Sequence, residues 1–214
     1  MSFAVMSFAE KMTAIADAIR GKTGKTDKLS LDEMATEINE ISTGERDINP
    51  EWTNWSYFSR NNNRNDLAAK LKYSDTSNGT DFSDMFINCS DLKSIPAFDT
   101  SNGTNFNCMF VFCDSLVTIS QLNFTKATTS YALSDIFYAC GSLINLNIAG
   151  TINATGLNVQ YSPLSHDSLM SIINALADKI GVSGTWKVTL GATNLAKLTA
   201  EEIAIAEGKG WTLA

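Results

Sequence analysis

The chain carries a single histidine, His166, so no group of imidazoles can hold a metal and a histidine relay has only one position open to it. Basic side chains are few and scattered. Sixteen Lys and Arg stand against 23 Asp and Glu for a formal charge of −7, a balance that argues against nucleic acid and anionic membrane as partners. No apolar run approaches the roughly 18 residues that span a bilayer, so membrane insertion is not expected. The opening MSFAVMSFAEKM has no basic stretch leading into a long apolar one, so no secretory signal is expected there. The four cysteines include no C-x-x-C pair, which removes the commonest zinc pattern; no metal and no cofactor are expected.

What is present is a repeat. DTSNGTDFSDMFINCSDLKSI, Asp75 to Ile95, stands beside DTSNGTNFNCMFVFCDSLVTI, Asp99 to Ile119, at an offset of 24 residues. A third copy follows at 27, with Leu133, Ile136, Phe137, Cys140, Leu143 and Leu146 in the places of Phe106, Met109, Phe110, Cys113, Leu116 and Ile119. A degenerate earlier copy is expected through Phe58, Asp66, Leu67 and Leu71. The shared pattern F-x-x-C-x-x-L-x-x-[IL] has a period within the roughly 20 to 29 residues of leucine-rich repeats. One copy cannot bury Phe86, Leu92 and Ile95 unless Phe110, Leu116 and Ile119 lie beside them, so stacked copies with short parallel strands near Leu92–Ile95, Leu116–Ile119 and Leu143–Ile148 are expected. Asp75-Thr-Ser-Asn78-Gly79 and its copy at Asp99 are corner formers, with Asn and Gly expected to supply left-handed backbone.

Toward the C-terminus, Trp186–Leu190 and Trp211–Leu213 read as two further strands, 23 residues apart by Val188 and Trp211. Thr199 and Glu202 form a capping box for a helix from about Ala200 to Glu207, and a longer helix is expected over Asp167–Ile180 with Leu169, Ile172, Ile173, Leu176 and Ile180 on one face. At the N-terminus, capping boxes at Ser7/Glu10 and Ser30/Glu33 predict helices over Phe8–Arg20 and Leu31–Ile41, a hairpin too short to fold alone. Ser42–Pro50 is the expected linker. The expected fold is therefore an α+β repeat: a helical N-terminal hairpin over 1–45 and a short leucine-rich-repeat solenoid over 46–214, with parallel strands and a helix-containing cap from about 160.

Several patterns imitate catalytic or binding sites. Gly24-Lys25-Thr26 resembles the end of a phosphate loop, but the first glycine would fall at Ile19 inside a helix, so an ordinary helix C-cap is expected. Ser165-His166-Asp167 holds the letters of a hydrolase triad, yet adjacent residues do not line up nucleophile, base and orienter; helix capping is expected instead. Cys89, Cys113 and Cys140 share one column of the repeat and are expected as free buried thiols, while Cys108 lies elsewhere. Asp75, Asp81, Asp84 and Asp99 match no calcium loop and read as turn carboxylates. No catalytic residue is assigned. Trp52, Trp55, Tyr57, Asn61 and Arg64 form the candidate ligand-contact cluster, with two readings open: aromatic faces and amides that bind sugar, or an aromatic cap over the first repeat.

The repeat, MF-x-x-C-x-x-L-x-x-I with DTSN corners, resembles the BspA-like class of bacterial leucine-rich repeats, found in surface proteins and in tail proteins of bacteriophages and prophages. Ile15–Ile38, IADAIRGKTGKTDKLSLDEMATEI, resembles a segment of phage tail and minor structural proteins, and Leu190–Ala214 resembles their ending. The three matches cover most of the chain outside Ser42–Ala69, although only three clear repeats are present where longer members have more. The resemblance implies a non-catalytic protein of a virion tail or bacterial surface. Its implied partners are a bacterial surface protein or glycan and other tail proteins, while the hairpin of residues 1–45, too short to fold alone, is expected to pack on the repeats, on a second copy of itself or on a partner. A cell-surface adhesin is the alternative, and a surface-polysaccharide hydrolase, which would need paired carboxylates in a cleft, is the third reading.

Overall fold

The computed structural model describes Asn54, Trp55, Leu71 and residues 75–214. The chain divides into two compact units, Met1–Asn49 and Pro50–Ala214, a boundary inside the expected linker, and all described residues belong to the second. The expected N-terminal helices, the Gly24-Lys25-Thr26 loop and the degenerate copy at Phe58, Asp66 and Leu67 lie outside the described residues.

Each clear repeat forms one winding, and successive windings are tied by a ladder of backbone hydrogen bonds. The amides of Phe82, Asp84, Phe86 and Asn88 donate to the carbonyls of Asn105, Asn107, Met109 and Val111 at 2.8–2.9 Å. One winding on, Phe106, Cys108, Phe110 and Phe112 donate in the same way to Ala132, Ser134, Ile136 and Tyr138 at 2.8–3.1 Å. The residues between them close short turns within their own winding, such as Cys89 N to Phe86 O and Cys113 N to Phe110 O. A succession of right-handed turns would curl into a helix and turn its donors away from the neighbour. Left-handed residues interrupt that curl at Asp84 and Asn88, Cys108 and Phe112, and Asp135 and Ala139, with φ between 54 and 61°. Non-glycine residues in this region cost about 1–3 kcal/mol each, and the inter-winding ladder holds them there.

The same stacking builds the core. Phe86, Phe110 and Phe137 lie face over face, with centroids 5.2 and 5.8 Å apart and planes within 10°, and Phe82 stacks on Phe106 at 5.5 Å. All five rings are buried. Such pairs add about 0.5–1.5 kcal/mol beyond the burial of their area. Trp55 extends the Phe82 column: its amide donates to Asp81 O at 2.6 Å, as Phe82 does to Asn105 O. Beside the rings, Cys113 Sγ donates to Phe86 O and Cys140 Sγ to Phe110 O, both at 3.1 Å, so the thiols link windings without a disulfide. Burial raises the pKa of the Cys113 thiol and pushes that of Cys140 up to about 12.

The corners correct one expectation. Neither Gly79 nor Gly103 is left-handed; each is glycine because a Cβ would come within 2.4 Å of Phe82 Cζ or 2.2 Å of Phe106 Cζ. The turn is set by Asp75 and Asp99, whose Oδ1 atoms accept the amides of Ser77 and Ser101. The Ser77 hydroxyl and amide hold the Asp75 carboxyl below its ordinary pKa.

The strands are β1 (Ser94–Ile95), β2 (Thr118–Asn123) and β3 (Asn145–Ala149), parallel in the order β1-β2-β3, with Ile95, Ile119 and Leu146 in one buried row as the 24- and 27-residue offsets predict. Next in the chain comes helix α1 (His166–Ala175), capped by Ser165, with Leu169, Ile172 and Ile173 buried. It is shorter than its periodicity suggests. Leu176 turns extended and bridges Ile152, with Ile152 N donating to Ala175 O and Ala177 N to Ile152 O; Ile180, expected on the buried face, is 63% exposed. Strand β4 (Lys187–Val188) pairs with β5 (Thr212–Leu213) so that Val188 faces Leu213, a spacing of 25 residues and not the 23 obtained by matching Val188 to Trp211. Trp211 is instead buried, its Nε1 donating to Ala177 O at 2.7 Å. Between them lie α2 (Ala192–Leu195) and α3 (Ala200–Gly208), the latter opened by the expected Thr199/Glu202 capping box.

Phe110 stacks on a ring both above and below it, so Phe110→Ala is expected to cost about 3–5 kcal/mol of unfolding free energy, read by denaturant titration. A thiol-reactive chromophore should label Cys89, Cys113 and Cys140 far more slowly in the native protein than in denaturant, where all four cysteines react. Rapid native labelling of Cys113 or Cys140 would contradict their placement.

Candidate binding face

Of the candidate ligand contacts, Trp52, Tyr57, Asn61 and Arg64 lie outside the described residues. Trp55 is 1% exposed, with Cδ1 close enough to Gly79 that a Cβ there would lie 2.9 Å away. It fills the end of the Phe82 column and presents no face to a ligand, the arrangement that the capping alternative anticipates.

Ser165, His166 and Asp167 are likewise not assembled as a relay. Ser165 Oγ accepts the Ser168 amide at the start of α1, while His166 Nε2 meets Glu202 Oε1 at 2.8 Å, tying α1 to α3. Bonds from the Thr199 amide and from His166 lower the Glu202 pKa. Asp81 Oδ1 accepts from the Ser83 amide and hydroxyl and from Asn105 Nδ2, as a turn carboxylate does. Among the described residues, no three His, Cys, Asp or Glu side chains gather where they could share a metal ion.

The outward face of the β1-β2-β3 sheet carries a set of exposed polar side chains. Strand alternation sends Ile119, Leu122, Leu146 and Ile148 inward and leaves Ser94, Ser120, Gln121, Asn145 and Asn147 exposed. A bulge sharpens this pattern. Ile119 pairs with Leu146 but Leu122 pairs with Ile148, so Ser120 and Gln121 together oppose the single residue Asn147, and both end exposed.

Two grooves open on this face. One, of about 500 Å³, is lined by Phe98, Asp99, Thr100, Ser101, Gln121 and Asn123, together with Ala97. The other, of about 490 Å³, lies between β3 and α1, and its polar lining is Asn147, Asp167, Ser171 and Asn174, with Met170 as its largest apolar side chain. Gln121 in the first and Asn147 in the second face one another across the β2–β3 bulge, so the grooves adjoin. Each contains one carboxylate, two amides, at least one hydroxyl and a partly exposed large apolar side chain, Phe98 or Met170.

Comparison with family models, with curated proteins and with solved structures finds no match to this chain. The site is therefore read from its own chemistry. Among the described residues no helix is long and apolar enough to cross a membrane.

Helix α1 closes the sheet beside the second groove. The β3 amides of Leu146 and Ile148 donate to Ser168 Oγ at 2.9 Å and Ser171 Oγ at 2.8 Å, two hydroxyls one helical turn apart that meet two amides one strand repeat apart. Ser168 Oγ returns a bond to Ile144 O at 3.1 Å. Both serines fall within the helix expected over Asp167–Ile180, and nothing local in the sequence marks them as a lid on a strand. A second surface also escaped it. Phe112, Tyr138 and Tyr161, exposed at 45, 41 and 51%, form an edge-to-face row with centroids 5.8 and 5.3 Å apart.

Ser168→Ala would leave the buried Leu146 amide without an acceptor. A loss of about 1–3 kcal/mol is expected, with faster hydrogen exchange at Leu146 than at Ile119; unchanged exchange at Leu146 would count against the serine as its partner.

Proposed function

We propose that this chain is a non-catalytic, tail-associated binding protein of a bacteriophage or prophage, built as a short leucine-rich-repeat solenoid. In this reading the N-terminal segment docks or oligomerises, and the repeat domain contacts a receptor on a bacterial surface. The observation that carries the binding role is the sheet face. Its hydroxyl and amide side chains project from strands whose row of apolar residues is buried and whose β3 edge amides are already satisfied, so recognition groups sit on rigid elements. The tail context rests on the resemblance of the repeat, of Ile15–Ile38 and of Leu190–Ala214 to proteins of that kind.

The test is association. The full chain, fluorescently labelled, should bind cells of a susceptible host and co-sediment with tail proteins. Removal of residues 1–45 should abolish the second association and spare the first. Failure to bind tail proteins and cells of every plausible host would remove the reading.

A further inference from the structure

We infer that the two adjoining grooves are neighbouring subsites for an uncharged carbohydrate chain, which therefore forms at least part of the receptor. This inference rests on the proposed role and names its ligand class. Sugar hydroxyls donate and accept at once, and the grooves offer matching groups: the carboxylates of Asp99 and Asp167 to accept, the amides of Gln121 and Asn174 to do both, and, in the first groove, the hydroxyl of Ser101. Each adds one apolar surface, the half-buried Phe98 ring or Met170, against which the C–H face of a sugar ring can lie. The side chains of Gln121 and Asn174 are exposed and engage no other described residue, so they are free to meet a ligand. Because Gln121 and Asn147 lie on neighbouring strands at the bulge, a chain leaving one groove meets amide side chains where it enters the next.

Charge narrows the class. The grooves hold one carboxylate each and no cation among their lining residues, so a uronate or sialylated polymer would be repelled. An extended peptide fits less well. Strand addition needs free backbone groups at a sheet edge, and the β3 amides of Leu146 and Ile148 are held by Ser168 and Ser171.

The test is affinity electrophoresis of the full chain through gels containing dextran, mannan, galactomannan or, as the acidic member, polygalacturonate. Retardation by at least one neutral polymer is expected, and none by polygalacturonate. Gln121→Ala and Asn174→Ala, one in each groove, should each weaken that binding by about tenfold while leaving the unfolding midpoint unchanged. Passage unretarded by every neutral polymer, retardation by polygalacturonate alone, or binding that survives both substitutions but is lost in Tyr138→Ala would each overturn the inference. Cell binding separates it from the role it rests on. Binding that withstands periodate oxidation of the cells but not protease treatment overturns the carbohydrate assignment and leaves receptor binding intact, whereas absence of any cell or tail association removes the role itself.

Discussion

The constraint on which the rest depends is the ladder of backbone hydrogen bonds between windings. From Trp55 and Phe82 through Phe106, and again at Val159 and Leu190, a backbone amide reaches forward to the carbonyl of the next layer: Asp81, Asn105, Ala132, Thr189 and Ala214 in turn. That bond fixes register, and register places like on like. Once Phe82 lies over Phe106, the rings at Phe86, Phe110 and Phe137 must stack, and the thiols of Cys113 and Cys140 fall beneath the carbonyls of the preceding layer. Left-handed backbone at six non-glycine positions among the described residues is tolerated because it is the geometry that aims these amides at their acceptors.

Where register relaxes, chemistry collects. The step from the second copy to the third is three residues longer than that from the first to the second, and within the β2–β3 pairing the bulge sets Ser120 and Gln121 against Asn147 alone. The buried row is unaffected, since Ile119, Leu122, Leu146 and Ile148 still face inward. What changes is the outer surface, where one additional polar side chain is presented at the junction of the two grooves. The replacement of a further strand by α1 acts in the same direction, bringing Asp167, Ser171 and Asn174 to the border of a sheet that would otherwise have stopped at β3.

The buried columns were legible in the sequence because burial imposes identity at a fixed period: phenylalanine, cysteine, leucine and isoleucine recur every 24 or 27 residues. The Thr199/Glu202 capping box was legible because its grammar is local. Features that depend on what lies across space were not. Gly79 and Gly103 looked like left-handed turn residues, and only the position of the Phe82 and Phe106 rings shows that volume is the reason for glycine. The apolar face of α1 runs on through Ile180 in the sequence, but the pairing of Leu176 with Ile152 ends the helix early. Trp55 drew notice as an aromatic near amides, and it lies in the core. The outward face carries no motif of its own, since serines, asparagines and a glutamine at alternate strand positions resemble any solvated sheet until the bulge and grooves are seen.

The identical registry of Asp75–Phe98 and Asp99–Leu122 makes the 24-residue winding a unit of growth. A duplicated copy inserted between them would find matching donors and acceptors on both sides, and would need no new end. Each such insertion would lengthen the polar surface by one strand, so the extent of ligand covered could change in whole steps through recombination at the DTSN corners while every buried column continued unbroken.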